Sequence, residues 1–368
     1  MSPADSHQID EHLARLLAAY DPGIGNADPR APTLGLNGSP RPVNEGSLDD
    51  ILPDAPYHTP PPVGPHKLGR YELRRQLGKG GCGIVFLAFD THLKREVALK
   101  IPRPEMMLSP DARRRLAREA RAAAEFDHPN LVPVYESGEV GPVSFVATAF
   151  CPGKTLADWL DRQAYPVPVR QAARLVATVA DAVQHAHDRG VLHRDLKPNN
   201  VILMESKGHP DDQGPPAGSV ALRGDTFVPR VVDFGLAKLA EPGPGETATR
   251  QVLGTPRYMA PEQAQARHDD IDVRSDVYAL GVILYELLAG RPPFDGATDV
   301  EILRQAIDGR LVPPTELRAD VPRDLEAICL KAMARNPAGR YRTAIDFADD
   351  LRRFLDGLPT LARPLTWS

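Results

Sequence analysis

The stretch that decides the fold runs from Val191 to Val201 and reads VLHRDLKPNNV. Between apolar flanks it holds an acid, Asp195, followed by a lysine and then a side-chain amide. Asp195 has the chemistry to accept a proton from a hydroxyl group, Lys197 can neutralise a phosphate, and Asn200 can hold a divalent metal. This order of side chains favours phosphoryl transfer over the alternative, a polar surface turn after a strand.

The string from His193 to Val201 resembles the catalytic loop of eukaryotic-type protein kinases. The other motifs of that family follow in family order: a glycine hairpin at 78–83, VALK at 97–100, DFG at 233–235 and APE at 260–262. The chain is therefore similar to a bacterial serine/threonine kinase of the eukaryotic (Hanks) type. The resemblance implies an α+β, bilobal kinase fold over 71–356. Its β-rich N-lobe is expected at 71–149, its hinge at 150–153 and its mostly helical C-lobe at 154–356.

Composition limits the other classes of function. The chain has 368 residues, of which 25% are charged and 42% hydrophobic, as in an ordinary soluble enzyme. The net charge of −5 argues against a nucleic-acid partner held by a basic surface. No apolar run has membrane-spanning length, and the N-terminus lacks the pattern of a secretory signal. Cys82, Cys151 and Cys329 are odd in number and far apart, which predicts free thiols and a cytoplasmic location.

The segments outside the kinase-like region differ in composition. Residues 1–20 place Ile9, Leu13, Leu16 and Leu17 at helical spacing, which predicts a short amphipathic helix. Two interpretations stay open for it: a frayed terminus, or a helix that docks on the kinase body or a partner. Many of the 38 prolines lie between residues 21 and 70, so this stretch is predicted to be a disordered linker. Residues 357–368 form a short tail.

The glycine hairpin is expected to close over phosphate groups. A lone GxGxxG pattern is a weak signal because dinucleotide-binding folds use it too. Here the third glycine opens a β-rich run and not a helix, so backbone N–H groups of a hairpin would bind the phosphates. Cys82 at its tip is interpreted as a small turn residue, with a redox sensor as the alternative. The residues assigned to ATP binding in this hairpin are Leu77, Gly78, Lys79, Gly80, Gly81, Cys82, Gly83 and Val85.

The family resemblance also implies a phosphate-binding lysine on the next strand and an acidic partner for it on the following helix. Ala98 and Lys100 lie in a strand at 95–101 and are assigned to ATP binding by position after the hairpin. Ser109 and Pro110 are good helix-start residues. Of the acids on the following helix, Glu119 shares the apolar face, so Glu119 is expected to face inward and pair with Lys100.

The hinge and the metal-binding residues also follow from the resemblance. Thr148 is expected to be the gatekeeper at the back of the nucleotide site. Ala149, Phe150 and Cys151 are expected to contact adenine through their backbones. Asp233 of the DFG motif and Asn200 are expected to hold the metal that accompanies ATP, which is Mg²⁺, or alternatively Mn²⁺.

Two parts of the C-lobe are expected to be irregular. Residues 204–228 form a polar insertion, interpreted as a solvated loop, with a docking site for a partner as the alternative. The segment at 236–259 has the composition of an activation loop, and Thr247 and Thr249 are its predicted phosphosites.

Three residues are assigned structural roles. Glu262 of the APE motif is expected to pair with Arg340, and Asp276 is expected to accept hydrogen bonds from the catalytic-loop backbone.

Together these residues predict transfer of the ATP γ-phosphate to serine or threonine hydroxyls of proteins, with Asp195 and Lys197 as the catalytic pair. The chain is also expected to autophosphorylate its activation loop, with a homodimer as the form in which one copy phosphorylates the other. One alternative is a pseudokinase scaffold that binds nucleotide without turnover, although the lysine, the base and the metal-binding aspartate are all present. A small-molecule phosphotransferase is disfavoured because the APE motif and a long activation segment serve peptide substrates.

Overall fold

The computed structural model describes residues 66–81, 83–107, 109–162, 166–206, 216–234 and 256–362. Several predicted features lie outside these ranges. They are the helix at 1–20, residues 21–65 of the linker, Cys82, the middle of the insertion at 207–215, the phosphosites Thr247 and Thr249, and the tail from 363. No helix in the described ranges combines the length and the apolar character that crossing a membrane requires.

The N-lobe is built on an antiparallel sheet of six strands. They are β1 (Lys67–Leu68), β2 (Tyr71–Gly80), β3 (Gly83–Asp90), β4 (Arg95–Pro102), β5 (Val134–Val140) and β6 (Val143–Ala149). Their order across the sheet is β1-β2-β3-β4-β6-β5. Alternate residues such as Phe86, Val97 and Leu99 are fully buried on one face, which is the period-two pattern of a half-buried sheet.

The start of the domain differs from the prediction. Residues 66–70 were assigned to the linker, but β1 pairs with β2 there. Arg70 also donates a hydrogen bond from Nη2 to Glu136 Oε2 (2.7 Å) and forms an ion pair with Asp90. A two-residue strand carries too little alternation to be recognised in a sequence.

The helix α1 (Pro110–Ala123) covers one end of this sheet. Ser109 caps it by accepting a hydrogen bond from the amide of Ala112 (3.1 Å), as its position before Pro110 predicts. The helix buries four side chains (Ala112, Leu116, Ala120 and Ala123) and leaves its arginine-rich opposite face exposed. Three of the four are alanines, so α1 anchors itself with a small apolar area.

The C-lobe is mostly helical. Its helices are α2 (Leu156–Arg162), α3 (Val169–His187), α4 (Pro261–Ala264), α5 (Val273–Ala289), α6 (Asp299–Asp308), α7 (Pro314–Leu317), α8 (Arg323–Ala332) and α9 (Ala344–Leu355). Nearly every residue of α5 is buried, and α3, α8 and α9 pack around it. A helix buried on nearly all sides belongs to the core, so α5 is the fixed body to which the site is attached.

The insertion is not a simple loop, which corrects the prediction for 204–228. It contains the end of β8 (Val201–Glu205), β9 (Val220–Leu222) and most of β10 (Asp225–Val231), in a four-stranded sheet with β7 (Lys154–Thr155). Arg223 and Gly224 connect β9 and β10 with φ of 51° and 99°, as a two-residue type I′ hairpin turn requires. Val220, Leu222 and Phe227 face the core, and this short alternation was hidden by the polar residues around it.

The base of the insertion is joined to the N-lobe segment between α1 and β5. The Asn130 side chain is buried and donates from Nδ2 to the carbonyls of Gly218 (2.8 Å) and Pro229 (2.7 Å). A Cβ on Gly218 would lie 2.2 Å from Asn130 Oδ1, so only glycine fits this approach. The amide of Val231 donates in turn to the Asn130 carbonyl (2.8 Å), which sets the end of β10.

A buried ion pair holds the APE motif to the end of the C-lobe. Both guanidinium Nη atoms of Arg340 bond the Glu262 carboxylate, at 2.7 and 2.8 Å, and Ser275 Oγ donates to it as well (2.7 Å). Burial alone would raise the pKa of Glu262, but the hydrogen bonds and charge of Arg340 hold it below its ordinary value. The pair has the geometry expected of its predicted structural role.

Breaking this pair should destabilise the fold. We expect Arg340→Met to lower the free energy of unfolding by about 3–5 kcal/mol, because it leaves the Glu262 carboxylate buried without its cation. Urea denaturation measures the change. The matched control is Arg267→Met, since the Arg267–Asp270 pair is half exposed and should contribute little. Equal stability of both variants and the wild type would contradict a structural role.

The same pair predicts a pH dependence. A carboxyl whose pKa is depressed in the folded state stabilises the protein above its unfolded pKa, and that contribution is lost as the pH falls. The difference in unfolding free energy between wild type and Arg340→Met should therefore shrink as the pH falls below the ordinary value of 4.5 for a glutamate. A difference that is independent of pH between 3 and 7 would show that another group carries the effect.

Candidate active site

The catalytic loop is attached to α5 through the buried carboxylate of Asp276. Its two oxygens accept the backbone amides of His193 (2.8 Å) and Arg194 (2.8 Å), and His187 Nε2 lies 2.7 Å from Oδ2. Burial would raise the pKa of Asp276, but the hydrogen bond and charge of His187 lower it below the ordinary range. The structure thus places Asp276 where the sequence expects bonds to the loop backbone.

Arg194 has an unusual backbone conformation for a residue other than glycine. Its φ of 66° lies in the left-handed region, which costs about 1–3 kcal/mol unless the surroundings enforce it. Here Asp276 holds its amide, and Gln263 Nε2 donates to its carbonyl (2.9 Å). The loop is therefore fixed on both sides of the peptide that precedes Asp195.

Asp195, Lys197 and Asn200 converge beside this peptide. Lys197 Nζ lies 2.7 Å from Asp195 Oδ2, and Asn200 Nδ2 donates to the Asp195 backbone carbonyl (2.7 Å). The Asn200 amide is thereby oriented with its nitrogen toward Asp195, which leaves its side-chain oxygen as the atom for a metal.

Asp233 reaches the same place from the end of β10. The amide of Val232 donates to the Asn200 carbonyl (3.0 Å), and His193 Nε2 lies 2.9 Å from the Val232 carbonyl. Asp233 has a φ of 67°, a second left-handed residue in the site. Burial would raise the pKa of Asp233, but the charge and hydrogen bond of Lys100 keep it below the ordinary range. The carboxylate therefore stays ionised.

The contacts of Lys100 differ from the predicted pairing with Glu119. Its Nζ lies 2.9 Å from Asp233 Oδ2, and it forms no ion pair with Glu119. Glu119 does face inward, with its side chain 12% exposed, and Arg118 Nη2 lies 3.4 Å from it. Helical periodicity gave the correct face of Glu119. The distance between α1 and β4, which decides the pairing, depends on how α1 packs on the sheet and is not encoded in that periodicity.

A cavity of about 1120 Å³ lies between the lobes and contains these groups. That volume is ample for a nucleotide. Its wall includes most of the residues predicted to bind ATP or metal or to act in catalysis: Leu77, Gly78, Lys79, Gly80, Gly81, Gly83, Val85, Ala98, Lys100, Thr148, Phe150, Cys151, Asp195, Lys197, Asn200 and Asp233. Ala149 and Glu119 are not on this wall.

Ala149 lies at the end of β6, and its contact with adenine stays a prediction for the carbonyl alone. Its amide donates to the carbonyl of Pro133 (2.9 Å), so this N–H is not available to adenine. Phe150 and Cys151, the next two residues, line the cavity. The Cys151 thiol is buried, and burial raises its pKa above the ordinary value.

The glycine hairpin closes the roof of the cavity. β2 continues to Gly80 and β3 begins at Gly83, so only two residues join them. Gly83 has a φ of 152°, and a Cβ there would lie 2.2 Å from the Ile101 carbonyl of β4. Glycine is required at this point because the backbones approach so closely. The arrangement is a β-hairpin and not the strand-to-helix turn of a dinucleotide-binding fold.

Comparison with known proteins shows the family of the chain. Residues 71–353 match the family described as "Protein kinase domain". The chain belongs to the protein kinase family. It is 38% identical over 299 residues to the serine/threonine-protein kinase PknB of Mycobacterium leprae, covering 80% of this chain and 44% of that protein. It is 37% identical over 299 residues to PknB of Mycobacterium tuberculosis, with the same coverage. The chain thus spans less than half the length of these relatives.

Solved kinase structures resemble this one as well. The PknI kinase domain of Mycobacterium tuberculosis superimposes with a TM-score of 0.58 at 29% identity, covering 79% of this chain and 98% of that domain. The predicted bilobal α+β fold and the resemblance to bacterial Hanks-type kinases are confirmed.

The kinase cavity includes residues that the sequence did not single out. Ile202 lies in β8 between Val201 and Leu203, which are both fully buried. Ile202 therefore points the other way, toward the cleft, where it lines the cavity. The alternation after Asn200 was a usable signal for it.

A second group of unpredicted residues extends the cavity behind Thr148. Ala120 and Ala123 of α1 lie there with Val132, Val134 and Val146. The small side chains of α1 leave space that larger residues would fill. Thr148 Oγ1 itself donates a long hydrogen bond to the Ala98 carbonyl (3.4 Å), and Thr148 lines the cavity together with these residues.

The position of Thr148 beside this space predicts which inhibitors the protein binds. Thr148→Met should weaken adenine-competitive inhibitors that extend behind Thr148 by about tenfold or more, because overpacking costs about 1–3 kcal/mol. Calorimetric titration measures the affinities. Thr148→Ser is the matched control and should bind like the wild type, and Mg-ATP affinity should hold in both variants. Equal inhibitor affinity in wild type and Thr148→Met would show that Thr148 does not border the space.

Proposed function

We propose that the chain is an ATP-dependent protein kinase that transfers the γ-phosphate to serine or threonine hydroxyls of proteins. One observation carries this proposal: Lys100, Asp195, Lys197, Asn200 and Asp233 line a single cavity between the lobes. The names of the relatives, serine/threonine-protein kinases, support the same activity.

The roles follow from the contacts. Members of this family use ATP and a divalent metal. The Asp233 carboxylate and the Asn200 amide oxygen suit a hard cation, for which we propose Mg²⁺ with Mn²⁺ as a substitute. When bound, that ion neutralises phosphate charge. Lys100 supplies a cation for phosphate oxygens, Asp195 accepts the hydroxyl proton, and Lys197 holds Asp195 in position while offering its own charge to the transferred group.

Peptide substrates are favoured over small molecules by the surface beside the catalytic loop. Tyr258 donates to Glu286 Oε2 (2.7 Å), and Arg257 Nη2 lies 2.6 Å from Asp295 Oδ1. Gln263 ties α4 to the Arg194 carbonyl (2.9 Å). These contacts support a firm platform that adjoins Asp195, as an extended substrate requires. The pseudokinase alternative lacks support because none of the phosphate, metal or proton groups is missing.

The catalytic assignments predict two inactive variants. Lys100→Met removes the phosphate-binding cation, and Asp195→Asn removes the proton acceptor. Each should lower the rate of phosphate transfer from Mg-ATP to a generic basic protein by more than about tenfold, equivalent to 1.4 kcal/mol of transition-state stabilisation.

The control for these variants is Lys94→Met, which removes an exposed lysine of the N-lobe. It should keep wild-type turnover, and thermal melting should show that all three variants are folded. Retention of more than about a tenth of wild-type turnover by Lys100→Met or Asp195→Asn would reject the role assigned to that residue.

We further propose that phosphorylation at Thr247 or Thr249 switches the enzyme on. Both threonines lie in the segment that joins the DFG motif to Pro256. A phosphate adds about −1.5 to −2 charge and accepts bidentate bonds from arginine. Arg194 directly precedes the base Asp195, and we assign it as the arginine that binds this phosphate. A second copy of the chain is the proposed phosphate donor, in a transient homodimer. The free, buried thiols of Cys151 and Cys329 fit the proposed cytoplasmic location.

This switch predicts the behaviour of a double variant. Thr247→Ala/Thr249→Ala should show the low turnover of phosphatase-treated wild type, and incubation with Mg-ATP should not raise it. The wild type should gain turnover on the same treatment, with phosphopeptide mapping locating the new groups at these positions. Arg194→Ala should acquire the phosphates but gain less turnover. Full wild-type turnover of the double variant would exclude the switch.

A further inference from the structure

The outward face of α1 is strongly basic. Arg114, Arg118 and Arg121 are spaced four and three residues apart, so they share one face of the helix, opposite the buried alanines. All three are exposed, and Arg113 flanks them. Against the five arginines of α1 stand only two acids, Asp111 and Glu119.

The contacts of these arginines within the described ranges are few. Arg114 lies 2.5 Å from Asp111 in an exposed pair, and Arg118 touches Glu119 at 3.4 Å. Arg121 forms no ion pair or hydrogen bond with another described residue. Arg115 borders the face, and its buried Nε has no hydrogen-bond acceptor.

The sequence contains an anionic segment of matching size. Residues 1–65 hold nine aspartates and glutamates against three arginines. Four of the acids fall within ten residues, at Glu45, Asp49, Asp50 and Asp54, with no basic residue among them. The whole chain has a net charge of −5, so the basic face of α1 is a local exception to an acidic protein. The net negative charge of the whole chain disfavours a nucleic acid as the ligand of this face.

The segment is also within reach. β1 lies at one edge of the N-lobe sheet, and α1 packs on Val134 and Val146 of β5 and β6 at the other edge. Crossing four or five strands spans about 19–24 Å at about 4.8 Å per strand. Six prolines lie among the 16 residues that separate Asp50 from His66, and a proline-rich chain of that length would span about 50 Å at about 3.1 Å per residue. That length exceeds the distance across the sheet, so the chain is long enough for the segment to reach α1.

We propose that the acidic segment Glu45–Asp54 binds the arginine face of α1 within the same chain. Leu48, Ile51 and Leu52 lie among its acids and would cover the aliphatic stems of the arginines. The contact lies on the back of the helix that carries Glu119, outside the catalytic cleft. It goes beyond the proposed phosphotransfer and does not depend on it.

Zero-length carbodiimide cross-linking of the phosphatase-treated full chain tests this contact. Arg118→Lys or Arg121→Lys keeps the charge and introduces an amine that carbodiimide can join to a touching carboxylate. We expect mass spectrometry to find cross-links from that amine to the carboxylates of Glu45–Asp54. Native Lys94, exposed in the turn between β3 and β4, is the internal control for random collisions, and Arg304→Lys on α6 is the control on the other lobe.

The expected yield at α1 is about tenfold above that at Lys94, since a bound segment has a high effective concentration at its site. The excess should vanish in about 0.5 M NaCl, which screens exposed charges. Equal yields at α1 and Lys94, or cross-links from α1 to other carboxylates only, would overturn the proposal.

Charge reversal provides a second measurement. Asp49→Lys/Asp50→Lys and Arg118→Glu/Arg121→Glu should each release the segment and increase the radius of gyration in small-angle scattering. The combined fourfold variant should return to the wild-type value because the two charges are exchanged. A radius that does not change in any of these proteins, or one that the combination fails to restore, would contradict binding at this face.

Discussion

The active site depends on one buried carboxylate. Removing the Asp276 charge from water is costly, and the cost is offset only because two backbone amides and the His187 ring surround it. Those amides belong to His193 and Arg194, so the contacts that stabilise the buried charge also fix the catalytic loop. Since Asp276 lies on α5, whose residues are nearly all buried, the loop is positioned by the least movable part of the C-lobe.

The second support is the backbone of the loop itself. Arg194 and Asp233 both have left-handed conformations, and the peptides beside them are tied together through Val232. His193 reaches the Val232 carbonyl, and the Val232 amide reaches the carbonyl of Asn200. These two hydrogen bonds therefore join the catalytic loop, which contains Arg194, to the segment that contains Asp233. This arrangement brings the Asp233 carboxylate and the Asn200 amide to one side of the cavity, where both can face a metal.

The sequence predicted those parts of the kinase fold that are set by local order. The catalytic loop, the glycine hairpin, the DFG strand and the Ser109 cap depend on neighbouring residues, so motif and periodicity suffice for them. What it missed depends on contacts between distant elements. The partner of Lys100 is set by the separation of α1 from β4, and the use of the Ala149 amide by the position of Pro133. The hairpin within 204–228 was hidden because only its core-facing residues are apolar, and its base is fixed by Asn130, far away in the sequence.

The helix α1 is the least constrained support of the site, and its energetics explain why its charges matter. Leu116 is its one large buried side chain, worth about 1.5–3 kcal/mol, while each buried alanine adds only a methyl group. By contrast α5 is enclosed on every side. Exposed charged contacts of up to about 1 kcal/mol are negligible for α5 but are a sizeable fraction of the apolar anchorage of α1. Lys100 is engaged by Asp233, so it does not hold α1 through Glu119 in this conformation. The apolar contact that holds α1 is therefore smaller than that of α5, so charged contacts on its outward face contribute a larger share of its anchorage.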